Sequence, residues 1–189
     1  KALFPNTYGM PLVSFEPTDE KKEYAPINIG IILSGGQAPG GHNVICGLYD
    51  GLKKQNPNSK LYGFLMGPGG LVDHQYIEMN DALIDEYRNT GGFDMIGSGR
   101  TKLEEEAQFE KGLEIIRQLG ITAIVIIGGD DSNTNACVLA EYFAAKKTGV
   151  QVIGCPKTID GALKNDQIET SFGFATACKT YAEVIGNIQ

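Results

Sequence analysis

The sequence predicts an α/β fold, a mostly parallel sheet with helices packed on its faces, on two observations. From Ile27 onward, short β-branched runs alternate with longer amphipathic stretches, the pattern of parallel strands joined by crossover helices. Many of the 25 glycines fall at the expected strand-to-helix junctions, where a backbone must take positive φ or come close to a ligand. At 189 residues, 42% of them hydrophobic and 21% charged, the chain has the size of one domain and enough apolar side chains to build a core.

Residues 1–26 carry Pro5, Pro11, Pro17 and Pro26 among scattered charges, and so read as an irregular arm that lies on a partner or another domain. The expected strands are Ile27 to Leu33, Leu61 to Met66, Phe93 to Ile96, Ile121 to Ile127 and Val150 to Gly154. Between them, helices are expected over His42 to Gln55, Asp81 to Arg88, Glu104 to Leu119 and Thr134 to Lys147, with a last one from about Ser171 to the end. Gly120 and Gly149 stand where helix C-terminal caps belong. Glu104, Glu105 and Glu106 fall in an expected first helical turn, where negative charge favours the macrodipole, and are given no chemistry. The chain ends in YAEVIGNIQ, inside an expected helix and without a capping signal, so truncation of a longer protein is expected.

A formal net charge of -7 argues against nucleic-acid binding, which needs a basic face. No apolar run reaches the roughly 18 residues of a membrane span, and the opening KALFPNTYGM has no signal-peptide core. The cytoplasm is the simplest expectation. Cys46, Cys137, Cys155 and Cys178 show no metal or disulfide spacing and read as reduced packing residues.

Three segments carry the chemistry, each directly after an expected strand and therefore at one edge of the sheet, where open α/β sheets bind ligands. Ser34-Gly35-Gly36-Gln37-Ala38-Pro39-Gly40-Gly41 leads into a helix, and such a turn offers unpaired amide donors to a phosphate. It matches neither G-x-x-x-x-G-K-[ST] nor G-x-G-x-x-G, and a tight turn needed only for packing is the competing reading. Gly128-Gly129-Asp130-Asp131-Ser132 puts two carboxylates side by side, where mutual repulsion calls for solvent or a hard cation such as Mg²⁺. Asp131 or Ser132 could equally cap the following helix. Pro156-Lys157-Thr158-Ile159-Asp160-Gly161 brings a cation, a hydroxyl and a carboxylate together, a set suited to phosphoryl transfer.

SGGQAPGGHN, GGDDSNTNA and PKTIDG, in this order and at these separations, resemble the phosphofructokinase family. GGDDS with PKTID is similar to its diphosphate-using branch, and the leading LFPNTYG resembles that branch's longer members. The resemblance implies a Rossmann-like three-layer sandwich, the phosphofructokinase-type N-terminal domain, over residues 27–189, with a second domain outside this piece. It implies Mg²⁺-dependent, reversible phosphoryl transfer from diphosphate to fructose 6-phosphate, a glycolytic step, in a homodimer or a pair with a related subunit.

By the same resemblance, Gly35, Lys157 and Arg100 would bind diphosphate, and Asp130 would hold the metal. Thr158 and Asp160 would face fructose 6-phosphate, with Asp160 as the base. Asp131 joins Lys157 and Asp160 as a catalytic candidate. It would oppose the α-phosphate of ATP by roughly 4 kcal/mol, taking two charges about 4 Å apart at an effective dielectric near 20. Taken by itself, Arg100 reads as an ordinary solvated loop arginine, and His42 reads as a packing residue as readily as a diphosphate contact. Phe172 and Phe174 read as core or domain-interface residues. The family pattern has a carboxylate where this chain has Ala162, so impaired activity or a non-catalytic regulatory subunit is the alternative expectation. An ATP-dependent enzyme is the third.

Overall fold

The computed structural model describes residues 1–20 and 22–188; of the expected arm residue 21, and of the expected last helix residue 189, lie outside the described residues. In chain order the elements are β1 (Asn28–Leu33), α1 (Gly41–Gln55), β2 (Lys60–Phe64), α2 (Pro68–Val72), β3 (Tyr76–Glu78), α3 (Asp81–Tyr87), α4 (Glu106–Gln118), β4 (Ile121–Gly128), α5 (Asp130–Ala145), β5 (Gln151–Pro156) and α6 (Phe174–Gly186). The sheet order is β3-β2-β1-β4-β5. All neighbours pair in parallel except β3, which runs antiparallel to β2 at the edge.

Strand side chains alternate between the two faces, so each buried strand feeds two cores. Ile32, Ile124 and Ile126 point to one side, where they pack with Leu71 of α2, Leu113 and Ile116 of α4, and Leu139 and Phe143 of α5. Ile31, Leu33, Val125 and Ile127 point to the other, against Ile45 and Tyr49 of α1 and Ile84 of α3. Helices therefore cover both faces, which makes the three-layer arrangement. Deleting one fully buried side chain of this set, Ile32→Ala for example, removes about 2 to 5 kcal/mol.

The sequence placed four of the five strands and all five of the long helices. Phe93–Ile96 is no strand: Phe93, Met95 and Ile96 are buried against the α1 side, but in a turn. A short apolar run reads alike whether it is a strand or a buried loop, and only pairing partners tell them apart. The fifth strand is instead β3, in a segment where none was expected, and the short α2 was likewise missed. Gly120 takes φ 61 just beyond α4, as a cap does, whereas after α5 the position directly beyond the helix cap falls to Lys147 at φ 51, and Gly149, also left-handed at φ 78, stands two residues further on. Of the three glutamates only Glu106 lies in the first turn of α4; Gln108 reaches back to accept the N–H groups of Glu104 and Glu105 at 2.9 and 3.0 Å.

The described residues of the arm form no helix or strand. Near its start the arm is held by the carboxylate of Glu141 on α5, which accepts from the N–H groups and side chains of both Asn6 and Thr7, and near its end by Asn56 Nδ2 of the α1 C-terminus, which donates to Tyr24 O at 2.8 Å. Among the described residues, no helix is long and apolar enough to cross a membrane.

Candidate active site

Because β1, β4 and β5 are adjacent and parallel, the turns after them leave the sheet side by side. They enclose a cleft of about 570 Å³. Backbone and side-chain bonds lock the turns together. Ser34 N–H donates to Ile127 O and Lys157 N–H to Gly128 O, each at 2.8 Å, and Ser132 Oγ donates to Ser34 Oγ at 2.8 Å.

Lys157 stands at the back of the cleft, only 5% exposed. Its ammonium donates to Gly36 O and lies 5.1 Å from the centre of the Phe93 ring. Burial holds its pKa below the usual lysine value; the Arg100 charge pushes the same way, and Asp160 opposes both. A cation held in so little water acts strongly on any anion that reaches it.

Gly35 has φ 85, a left-handed conformation in which a side chain would be strained. A Cβ there would stand 3.6 Å from Lys157 Nζ, so this glycine lies against the buried cation. Its amide is not a free donor, because Gly35 N–H donates to Gly99 O at 2.9 Å. Ser34 through Gln37 line the cleft, but the start of α1 does not.

The two aspartates sit in the first turn of α5, which begins at Asp130, four residues before the expected helix start. Negative charge is favoured there by about 0.3 to 1 kcal/mol per group, and both side chains are exposed. Neither Asp131 nor Ser132 caps the helix: Gly129 holds the N-cap position, and Asp131 N–H donates to Asp130 Oδ1 at 2.9 Å. Asp131, 81% exposed, has Lys102 Nζ 3.9 Å from its carboxylate. At that exposure its effect on another charge falls towards the solvent limit, about 1 kcal/mol at 4 Å, rather than the larger figure for a half-buried pair.

Among the described residues no group of three or more His, Cys, Asp or Glu is arranged around a metal position. Mg²⁺ is commonly held by one or two carboxylates together with substrate phosphates, and Asp130, exposed on the cleft wall, fits that kind of site.

Across the cleft, Thr158 and Asp160 line the turn after β5. Thr158 Oγ1 accepts from Asp160 N–H at 3.1 Å, and Thr158 O accepts from Ser171 Oγ at 2.9 Å. Asp160 is exposed, and the lining on this loop stops with it, so Ala162 lies outside the cleft. Arg100 also lines the cleft, beside Gly36. The structure thus brings together every expected site residue: Gly35, Arg100, Asp130, Asp131, Lys157, Thr158 and Asp160.

His42 is a packing residue. It is 2% exposed, and Nε2 accepts from the N–H groups of Asp94 and Met95 at 3.0 and 2.9 Å, while Nδ1 lies 2.7 Å from Thr90 Oγ1. Asp94 Oδ1 is also 3.0 Å from Nε2, but an imidazolium bonded there would strand two amide donors. The neutral ring satisfies its surroundings, and burial accordingly lowers its pKa, with Asp94 opposing.

Phe172 packs partly buried beside the Gly40 turn, and Phe174 lies against Gly161. All four cysteines are free; Cys46 is buried as expected, but Cys137 and Cys178 are exposed and pack nothing away. Lys102, Thr101 and Asn135 line the cleft as well. Their residue types and spacing do not single them out in the sequence, although Asn135, four residues after Asp131, shares its helix face.

This three-layer α/β domain, with a cation at the back of a cleft walled by carboxylates, belongs to the phosphofructokinase family, whose sequence pattern matches residues 28–189. Over the whole chain it is 70% identical to pyrophosphate–fructose 6-phosphate 1-phosphotransferase of Porphyromonas gingivalis, covering 34% of that protein. It is 56% identical to the Entamoeba histolytica protein of the same name, with 99% of this chain and 34% of that one covered. The alpha subunit of the Solanum tuberosum enzyme is 40% identical, with 100% of this chain and 32% of that protein covered. The chain therefore spans about a third of the length of the curated relatives it matches. Among solved structures, Saccharomyces cerevisiae phosphofructokinase superposes with a TM-score of 0.69 at 19% identity, over 84% of this chain and 21% of that one, which attests the fold.

Proposed function

We propose that the full-length protein catalyses reversible, Mg²⁺-dependent transfer of a phosphoryl group from diphosphate to fructose 6-phosphate, giving fructose 1,6-bisphosphate and phosphate, as a cytoplasmic step of glycolysis. The observation that carries this reading is a single cleft in which buried Lys157 is joined by Arg100 and Lys102 and faced by Asp130, Asp131 and Asp160. Names borne by relatives at 70% and 56% identity support the choice of substrates.

Phosphoryl transfer asks for positioning and charge stabilisation rather than a covalent intermediate. Lys157 holds its charge where the transferring group and the departing phosphate lie. Arg100 steadies phosphates of both substrates, and Gly35 lets the diphosphate approach the ammonium. Thr158 orients the sugar phosphate, and the Asp160 carboxylate takes the proton of the attacking 1-hydroxyl. Asp130 would hold Mg²⁺, which when bound neutralises charge on phosphate oxygens. Asp131 stands against a longer donor such as ATP, by charge, to the modest degree its exposure allows.

A coupled assay on the complete chain with Mg²⁺ and fructose 6-phosphate, run with diphosphate and then with ATP, tests the donor. Turnover with diphosphate is expected, and turnover with ATP alone would reject the reading. The non-catalytic alternative rests on Ala162 and is tested by Ala162→Asp in the same protein: a large gain in turnover marks an impaired enzyme, and none supports a regulatory subunit. The chain is 54% identical to an Arabidopsis thaliana beta subunit and 40% identical to the potato alpha subunit, which supports assembly with itself or with a related subunit.

A further inference from the structure

We propose that Asn135 is a positioning residue of the cleft: its amide closes on both backbone groups of Leu103 and so holds the Arg100-Thr101-Lys102 rim with its two cations turned to the donor phosphates. This rests on the phosphoryl-transfer reading above and adds to it a residue outside the three sequence segments' expected roles.

Leu103 N–H donates to Asn135 Oδ1 at 3.0 Å, and Asn135 Nδ2 donates to Leu103 O at 2.6 Å. A carboxamide carries one acceptor and one donor side by side, so it meets a residue's two backbone groups as a neighbouring strand would. It thereby fixes the orientation of the flanking peptides as well as their position. Asp131 and Asn135 are four apart in α5 and share one face of the helix. That face meets the rim twice, through Leu103 at Asn135 and through Lys102 Nζ, 3.9 Å from the Asp131 carboxylate.

The rim's other end is fixed from the sheet. Gly35 N–H donates to Gly99 O at 2.9 Å, and Ser34 and Gly99 form an isolated parallel bridge. Arg100, Thr101 and Lys102 are thus a three-residue span between two fixed points, without regular secondary structure, and all three line the cleft. The competing account is that the Leu103 side chain, 1% exposed in the core, holds the segment by packing alone. Packing is non-directional and decides where the backbone passes; the paired amide of Asn135, at 2.6 and 3.0 Å, dominates over the long 3.4 Å bond from Gln108 Nε2 to Lys102 O in setting which way the peptides before Leu103 face, and hence where Lys102 and Arg100 are aimed.

The test uses the full-length protein as wild type, Asn135→Ala, Asn135→Asp, Lys102→Met and the Asn135→Ala, Lys102→Met double variant. Calorimetry gives the Kd for inorganic diphosphate, steady-state kinetics give kcat and KM, and thermal denaturation reports folding separately. Asn135→Asp keeps its size and the acceptor for Leu103 N–H, loses the donor and adds a negative charge that by itself opposes diphosphate, so Asn135→Ala and the double variant carry the comparison. Both single Asn135 variants are expected to bind diphosphate about tenfold more weakly, as loss of one or two directional bonds predicts. KM rises with Kd while kcat stays within about twofold. The double variant binds more weakly than Asn135→Ala by much less than the factor Lys102→Met shows alone, because a released rim no longer presents that lysine.

An unchanged Kd in either variant, fully multiplicative losses in the double variant, or a lower kcat at unchanged Kd overturns the inference. Loss of folding in both Asn135 variants would assign the amide to the fold instead, and also overturn it. A wild type that binds diphosphate without turnover would defeat the proposed reaction and leave the Kd comparison decisive. A wild type that binds no diphosphate would remove both.

Discussion

Two adjacent parallel strands, β1 and β4, each run through glycines into a helix, yet protein closes the start of α1 while the start of α5 opens into the cleft. At α1, Gly40 N–H donates to Gly91 O at 2.7 Å and His42 N–H to Gly92 O at 3.0 Å. The buried His42 ring then ties down the next stretch of the same loop through Asp94 and Met95. At α5, Asp130 and Asp131 stand exposed in the first turn. A helix N-terminus offers unpaired donors only until something else accepts from them. The loop over Gly91 to Ile96, whose Phe93 to Ile96 part is a strand in the sequence expectation, is what uses up the first of these two ends. The comparison teaches that similar junctions on neighbouring strands can be used in opposite ways, one closed by packing and the other left open to the cleft.

That contrast makes separable predictions. The largest effect is expected on the open side: in the full-length protein, Lys157→Met or Asp130→Ala should lower turnover on the order of 100- to 1000-fold, as loss of a preorganised charge at a developing anion does. Melting temperature should stay near the wild-type value for Asp130→Ala. Undiminished turnover in either variant would break the assignment of the cleft.

On the closed side, His42→Leu strands two buried amide donors and should destabilise the protein by about 2 to 4 kcal/mol in denaturant unfolding, with kcat per folded molecule unchanged. A selective loss of kcat would mean that α1 serves the chemistry after all.

The same histidine gives a pH signature. Burial holds the folded-state pKa of His42 below its ordinary value of 6.5, so between the two values the unfolded chain carries a proton that the folded chain does not. Its contribution to stability is therefore complete above about pH 6.5 and is lost as pH falls below that value towards the folded pKa. The slope is at most about 1.4 kcal/mol per pH unit. Denaturant midpoints from pH 7.5 down to about 5.5 should show the decline in wild type and not in His42→Leu; parallel curves would refute a neutral, buried ring.

The smallest effect is expected at Asp131. Because its carboxylate is mostly exposed and has Lys102 nearby, Asp131→Gly should tighten ATP binding by about fivefold, the equivalent of roughly 1 kcal/mol. A thousandfold gain, measured by calorimetry, would show that the bound state is far drier than the free cleft.

The sequence by itself determined the α/β class, the long helices, four of five strands and the three chemical segments, because these are written in local periodicity and in glycines between strand and helix. It also singled out Asp130, Asp131, Lys157, Thr158 and Asp160, whose types and order identify the family. Only the tertiary structure decided that the Phe93–Ile96 run is a buried loop, that Gly35 N–H is taken, that His42 packs, and that Asn135 and Lys102 line the cleft. Each of these depends on a partner remote in sequence: Gly99 for Gly35, Asp94 for His42, Leu103 for Asn135. Hydrogen bonds and burial depend on what lies across space, and a pattern read along the chain holds no record of which distant group will accept or donate.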